Sequence, residues 1–193
     1  MYAVIQSCPV MATAYLEAMT QRQFYDWQTA GGGGDVALLV ETLEQREIPW
    51  CMIGGLAVNH WAQEPMATAD VDLVIATDRI EEAVRALTDA GFKAERHDWS
   101  INLRGRSKVS VQLSTEDFYH DFPGRAVAAD VHGILMRVAC LEDTLRGKLK
   151  AYQDTDRRPS KRRKDLLDLT RLVESHPELL QKLPPDLQAK VRE

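Results

Sequence analysis

Residues Met52 to Ile75 read MIGGLAVNHWAQEPMATADVDLVI, and the fold turns on how this stretch is parsed. The short apolar run Ile48 to Ile53 ends in Gly54-Gly55 and is followed by LAVNHWAQ, the order of a strand, a tight turn and a helix. DVDLVIA, from Asp70 to Ala76, reads as a buried strand. Side chains alternate across a strand, so Asp70 and Asp72 project from one face while Val71, Leu73 and Ile75 project from the other. Carboxylates two residues apart on a strand stand about 7 Å apart and can share hard cations; an oxygen-only ligand set selects Mg²⁺ or Mn²⁺. Such carboxylates in an otherwise apolar strand are costly unless positive charge compensates them. Upstream, Gly54 and Gly55 let the backbone approach a ligand closely, and the N-terminus of the helix that follows offers free amides to a phosphate. An anion cradle beside a cation-binding pair describes a site for a metal-bound nucleoside triphosphate.

Outward from this stretch, helices and strands alternate early and strands cluster in the middle. Gly31 to Gly34 predict a flexible hinge, and Asp35 caps a helix running through DVALLVETLEQREI. Asp78 caps a second helix through Ala90, which Gly91 ends. Phe92 to His97, Lys108 to Leu113 and Ile134 to Val138 are strand candidates. Leu141 to Tyr152 and Lys161 to Ser175 read as helices, and Pro184-Pro185 starts a last short one. The pattern predicts an α+β fold, a mixed β-sheet with packed helices and a C-terminal helical part. It divides the chain into an N-terminal extension with a glycine hinge (1-34), a core (35-140) and a helical segment packing on that core (141-193).

The composition fits one ordinary domain with an appendage. At 193 residues, 45% hydrophobic and 27% charged, the chain can bury a core unaided, so disordered, collagenous and low-complexity classes are excluded. Cys8, Cys51 and Cys140 are far apart and lack CxxC spacing, which supports neither a zinc knuckle nor a disulfide framework and points to a reducing, cytoplasmic setting. No apolar run reaches the roughly 20 residues of a membrane span. The first 16 residues lack the basic start of a signal peptide and read as a loosely attached extension, upstream of a working start at Met11 or Met19. The histidines, His60, His97, His120, His132 and His176, form no ligand spacing. Net charge is -5, against generic polyanion binding. Yet Leu141 to Ser175 holds ten Lys/Arg against seven Asp/Glu, and six of those cations lie between Arg157 and Lys164. That run is either a solvated helix start or a local patch for phosphate or nucleic acid.

The stretch from Met52 to Ile75 resembles the signature of the polymerase-β-type nucleotidyltransferases: a GG or GS turn, a helix, then a strand bearing DxD. It is most similar to the minimal and AbiEii-like bacterial members. VACLEDTLRGKLKAY resembles the family's helix with an LEDL-type start and a lysine, and SKRRKDLLDLTRLVE resembles its final KDxxDL helix. The resemblance covers Ile48 to Leu180, with order and spacing preserved. It implies a nucleotidyltransferase core and assigns Gly54 and Gly55 to the triphosphate turn and Asp70 and Asp72 to catalysis and metal. It also brings Lys148 and Lys164 to the phosphates and Asp165 and Asp168 towards the cleft, although Lys164 and Asp168 also have the spacing of an exposed i,i+4 ion pair. Two departures stand out. Relatives place a third carboxylate on a neighbouring strand; here that strand is KVSVQL, whose inward positions are Ser110 and Gln112, with Glu116 and Asp117 only in the following loop. Met66 stands where relatives often carry an arginine.

The implied activity is Mg²⁺-dependent (or Mn²⁺-dependent) transfer of a nucleoside monophosphate from NTP to a hydroxyl on RNA, protein or a small molecule, with no membrane involved. The alternative is a catalytically weakened relative serving as a binding module, such as one partner of a toxin–antitoxin pair. A third reading, an RNA-binding domain using Arg157 to Lys164, predicts salt-sensitive binding that survives Asp70→Asn.

Overall fold

The computed structural model describes residues 31–62, 66, 68 and 70–192. The apolar first 16 residues, Cys8 and most of the expected 1-34 extension lie outside them. Helix α1 (Gly32–Gln45) leads into strand β1 (Trp50–Ile53), helix α2 (Gly54–Trp61) and strand β2 (Asp70–Ile75). A short 3-10 turn precedes α3 (Ile80–Asp89), and β3 (Lys93–Arg96), β4 (Ser100–Arg104) and β5 (Ser110–Ser114) follow. A hairpin, β6 (Val127–Val131) and β7 (Ile134–Val138), then leads to α4 (Leu141–Gln153), α5 (Pro159–Ser175) and α6 (Pro185–Lys190). The seven strands form one mixed sheet in the order β3-β4-β5-β2-β1-β7-β6. Strand β2 runs parallel to β5 and antiparallel to β1, and β1 runs parallel to β7. Among the described residues no helix is long and apolar enough to cross a membrane.

Alternation along β2 divides the molecule. Val71, Leu73 and Ile75 join Trp50, Met52, Leu103 and Leu113 on one face, where α1 supplies Val36, Leu39 and Leu43 and α3 supplies Ala83, Val84 and Leu87. The other face carries Cys51 and Val74 under Tyr119, Phe122 and Ala139. A separate helical core packs Leu145, Leu169, Leu172 and Leu187 against Val58 of α2. Helix α2 belongs to both assemblies, since Leu56 and Ala57 point into the sheet core. Its far end is tied down as well: the Trp61 indole N–H donates to Ala139 O at 3.0 Å, and the Trp61 carbonyl lies 2.9 Å from His176 Nε2.

Helix α3 ends as its sequence foretells. Gly91 adopts φ +104, its amide bonds Thr88 O at 3.0 Å, and the Phe92 amide bonds Leu87 O at 3.0 Å, the double bond of a Schellman cap. Its start differs from expectation, because the 3-10 turn Thr77–Arg79 intervenes and Asp78 forms no side-chain cap. The glycine run differs more. The helix begins at Gly32, so three of the four glycines are helical, and Asp35 does not cap it. Instead the Asp35 carboxylate, 7% exposed, accepts bonds from Arg106 N (3.2 Å), Ser107 N (2.8 Å) and Ser107 Oγ (2.6 Å) in the loop between β4 and β5. A Cβ at Gly105 would overlap that carboxylate, so glycine is required there. Strands β4 and β6 were not anticipated.

Burial works against the Asp35 charge, but the Ser107 hydroxyl and the two loop amides outweigh it and hold the pKa below its ordinary 3.8. A depressed carboxylate pKa contributes stability that is complete above pH 3.8 and lost as pH falls through the folded value. Asp35→Ala is therefore expected to cost about 1–3 kcal/mol at pH 7, the penalty of orphaning buried donors. Urea denaturation at pH 7 and in acid checks this, and the gap between wild type and variant should narrow in acid.

Candidate active site

Register sets the site. Ile53 faces Asp72 across the β1–β2 ladder, so the first residue past β1, Gly54, lies against the Asp72 side chain. Gly54 has φ +71, and a Cβ on it would overlap the Asp72 carboxylate. Glycine is needed twice over, for the left-handed backbone and for the close approach. Gly55 abuts Thr68, where a Cβ would stand 3.3 Å from the hydroxyl. Asp72 is thus seated at the beginning of α2, beside that helix's free amides.

A cavity of about 260 Å³ opens over this point. Gly54 and Asp72 form its floor, Trp99, Ser100, Gln112 and Ser114 one wall, and Asp143, Lys148, Arg157 and Asp165 the other. Of the residues expected at a site, Gly54, Asp72, Gln112, Lys148 and Asp165 line this one space. Asp70 shares the sheet face of Asp72 but is exposed, outside the lining. Ser110 pairs with Asp70 and Gln112 with Asp72, the register expected of the neighbouring strand, yet Ser110 lines a separate groove with Asn102, Arg104 and Lys108. Lys164 is half-buried outside the cavity, and Asp168 lies behind the wall, 1% exposed. The exposed Lys164–Asp168 pair is not formed. Asp168 instead meets Lys148 Nζ at 2.6 Å and Arg171 Nη1 at 3.1 Å.

Four carboxylates line the cavity, and three are occupied. Asp165 accepts from Arg157 Nε at 2.5 Å and from Lys148 at 3.4 Å. Asp143 is clamped by Arg125 at 2.9 Å and Arg146 at 2.8 Å. Glu116 pairs with Lys150. Only Asp72 has no ion pair among the described residues. Burial pushes its pKa above the ordinary 3.8; the Lys148 charge opposes that rise, Asp70 adds to it, and Lys164 and Lys161 oppose it. The start of α5 therefore projects positive potential onto Asp72 without touching it.

The donor chemistry fits a hard divalent cation. Mg²⁺ takes one or two carboxylates and completes its shell with water and substrate phosphate rather than a full protein cage. Asp72, half-buried and unpaired, with Asp70 two residues along the same face and the Gln112 amide opposite, offers such a partial shell. Glu116 sits on the cavity wall but is committed to Lys150, and Asp117 is exposed outside the lining. Trp99, Tyr119 and Asp143 were not foreseen as site residues. The LEDT start of α4 was the available signal for Asp143; Trp99 and Tyr119 gave none, since they arrive through strand pairing and loop packing.

The fold has counterparts among solved structures. The antibiotic-resistance factor ANT(2")-Ia, solved in complex with adenylyl-2"-tobramycin, is 16% identical, with a TM-score of 0.58, and the match covers 81% of this chain and 94% of that one. An antigenic nucleotidyltransferase-like protein from Paracoccidioides brasiliensis is 22% identical with a TM-score of 0.50, over 82% of this chain and 91% of that one. Among curated proteins no match was found. The family model described as nucleotidyl transferase AbiEii toxin, type IV toxin–antitoxin system, matches residues 37–192. The carboxylate strand, the glycine turn and both helices of the helical wall fall inside that match, and the chain belongs to the AbiEii nucleotidyltransferase family.

Proposed function

We propose that this protein moves a nucleoside monophosphate from an NTP to a hydroxyl acceptor in a Mg²⁺-dependent reaction. The observation that carries the reading is the unpaired Asp72 at the floor of a cavity whose other three carboxylates are each held by a cation. A divalent cation held by Asp72 and Asp70 would supply charge neutralisation at the reacting phosphate. The amides at Gly54 and Gly55 receive the triphosphate, because a helix start presents free N–H groups and favourable partial charge. Lys148 in the wall, with Lys161 and Lys164 farther out, sets positive charge against the Asp72 carboxylate and so lessens the repulsion an anionic triphosphate meets there. The acceptor is an RNA, a protein or a small molecule, and membership of a family described as a toxin of a type IV toxin–antitoxin system supports a toxin–antitoxin partner. Residues 35-140 form the transferring core and 141-193 the helical part that closes the cavity.

Incubation with each α-phosphate-labelled NTP, Mg²⁺ and pools of RNA, protein or small molecules tests this. Label transfer is expected in the wild type and should fall by about 10²–10³-fold in Asp72→Asn, the scale of losing one preorganised electrostatic group. Gln112 opposite Asp72 favours a second reading, a weakened binding module, and NTP binding without transfer in any pool selects it.

Stability should move the other way. Because folding raises the Asp72 pKa, the ionised carboxylate costs stability above the raised value, and that cost disappears below pH 3.8. Asp72→Asn is expected to melt no lower, and at neutral pH higher, than the wild type in chelator, as thermal denaturation would show. Lys148→Met is expected to destabilise by about 3–5 kcal/mol, because it strips one cation from a buried cluster with Asp165 and Asp168. Urea titration separates that loss of stability from any loss of transfer.

A further inference from the structure

The two walls of the cavity differ in kind. The helical wall is a lattice of ion pairs through Lys148, Arg157 and Asp165. The wall from β4 and β5 carries no charge at Trp99, Ser100, Gln112 and Ser114. Trp99 lines the cavity and is nonetheless 71% exposed. Its backbone is fixed, with the carbonyl accepting from Thr115 N at 3.1 Å, so a large ring is held at the cavity mouth with most of its surface facing solvent. Beside it, Gln112 Nε2 donates to Ser100 Oγ at 2.9 Å, which steadies the polar edge of the same wall.

We infer that Trp99 is the stacking surface for a planar unsaturated ring on the acceptor, with the Ser100–Gln112 edge reading that ring's polar rim. The inference rests on the proposed transfer and adds the acceptor's chemistry. Displacement at a phosphoryl group is in line: the entering hydroxyl oxygen forms its bond to phosphorus and releases its proton to solvent, while on the opposite side the bond to pyrophosphate breaks and pyrophosphate leaves with the bonding electrons. The leaving group is held at Gly54, at the end of β1. The entering hydroxyl must therefore come across β2 and β5 from the β4 side. Trp99, just before β4, stands three strand spacings from β1, about 14 Å, beyond the reacting centre over Asp72 and Gln112. A charge-free wall with an open indole selects by stacking and hydrogen bonding, where ionic recognition would need the carboxylates that this wall lacks.

Trp99→Ala and Trp99→Phe test the assignment, since a residue this exposed can be changed without disturbing the core. Calorimetry with NTP is run first and is expected to give affinities equal to the wild type within about twofold. With the α,β-methylene analogue of that NTP bound, adenosine serves as a planar-ring probe and glucose as a saturated-ring probe. Adenosine is expected to quench the long-wavelength emission of the wild type and not of either variant. Its calorimetric affinity should fall about tenfold or more in Trp99→Ala and largely return in Trp99→Phe, the scale of one lost stack. Glucose should bind more weakly than adenosine and be indifferent to both changes. Unchanged adenosine binding in Trp99→Ala overturns the inference, as does glucose binding that depends on Trp99. A loss of NTP affinity in Trp99→Ala also overturns it, by placing the ring in the nucleotide subsite. Failure of the wild type to bind any NTP removes the transfer reading and the acceptor subsite together, whereas NTP binding with indifferent adenosine removes the subsite alone.

Discussion

The contact between the Asp72 carboxylate and the Cβ-less face of Gly54 organises the molecule around it. It exists because β1 and β2 pair antiparallel with Ile53 opposite Asp72, so the chain leaving β1 must turn immediately beside the carboxylate. A side chain at Gly54 would drive the two apart and lift the start of α2 from the sheet. The same helix then buries Leu56 and Ala57 in the sheet core and Val58 in the helical core. One short element thus fixes its own free N-terminal amides, the carboxylate strand and the wall contributed by α4 and α5 relative to each other. Placement of this kind comes from packing and backbone geometry, which keep their accuracy when a charged ligand enters or leaves.

Behind the cavity, Lys148, Asp165, Asp168 and Arg171 form a buried ionic cluster that continues outward to Arg157 and to the Asn59 side chain. Buried ion pairs are weak evidence for stability, since well-packed apolar residues often do as well. The cluster has a geometric consequence instead. Asn59 accepts from Arg171 at 2.8 Å and from Met66 N at 2.9 Å, so Met66 is tied through it to the ionic cluster that includes the lysine in the cavity wall. Met66, expected from the family pattern to leave a phosphate contact empty, contributes its backbone to this tie. The charges behind the cavity are therefore also what hold Asn59, and through it Met66, in place.

Where the local chemistry was decisive, the sequence was readable. The glycine turn, the alternation of β2, the Gly91 cap and the boundaries of β7 and α4 each depend on residues within a few positions of one another. Strand β4 was missed because SINLR follows a tight turn through Asp98 and Trp99 and is defined by pairing with β5. Strand β6 was missed because VAADV offers few large apolar side chains and owes its register to the hairpin through His132 and Gly133, both with positive φ. The glycine run predicts a hinge through the flexibility of a glycine-rich linker, but Val36, Leu39 and Leu43 draw the segment into the core and packing overrides that local preference. Asp168 followed the same logic. It shares an inward helical face with Leu169 and Leu172, so its partners are Lys148 and Arg171 rather than the neighbouring Lys164. Asp35 and Trp99 depend on residues far away in sequence, which no local pattern encodes.

The amide at Gln112 also has a place in this balance. A carboxylate there would stand in register beside Asp72, and like charge would raise further a pKa that burial already raises. Every additional negative charge on the sheet face would call for more cation to fill the cavity before an anionic triphosphate could enter. With an amide, Asp72 is opposed chiefly by its own desolvation and by exposed Asp70, while Lys148, Lys161 and Lys164 favour its ionised form. Fewer negative charges mean that less compensation is needed to make the cavity receptive to phosphate. Unlike a carboxylate, the Gln112 amide is not a base at neutral pH, and it leaves the β4–β5 wall uncharged at the register position opposite Asp72.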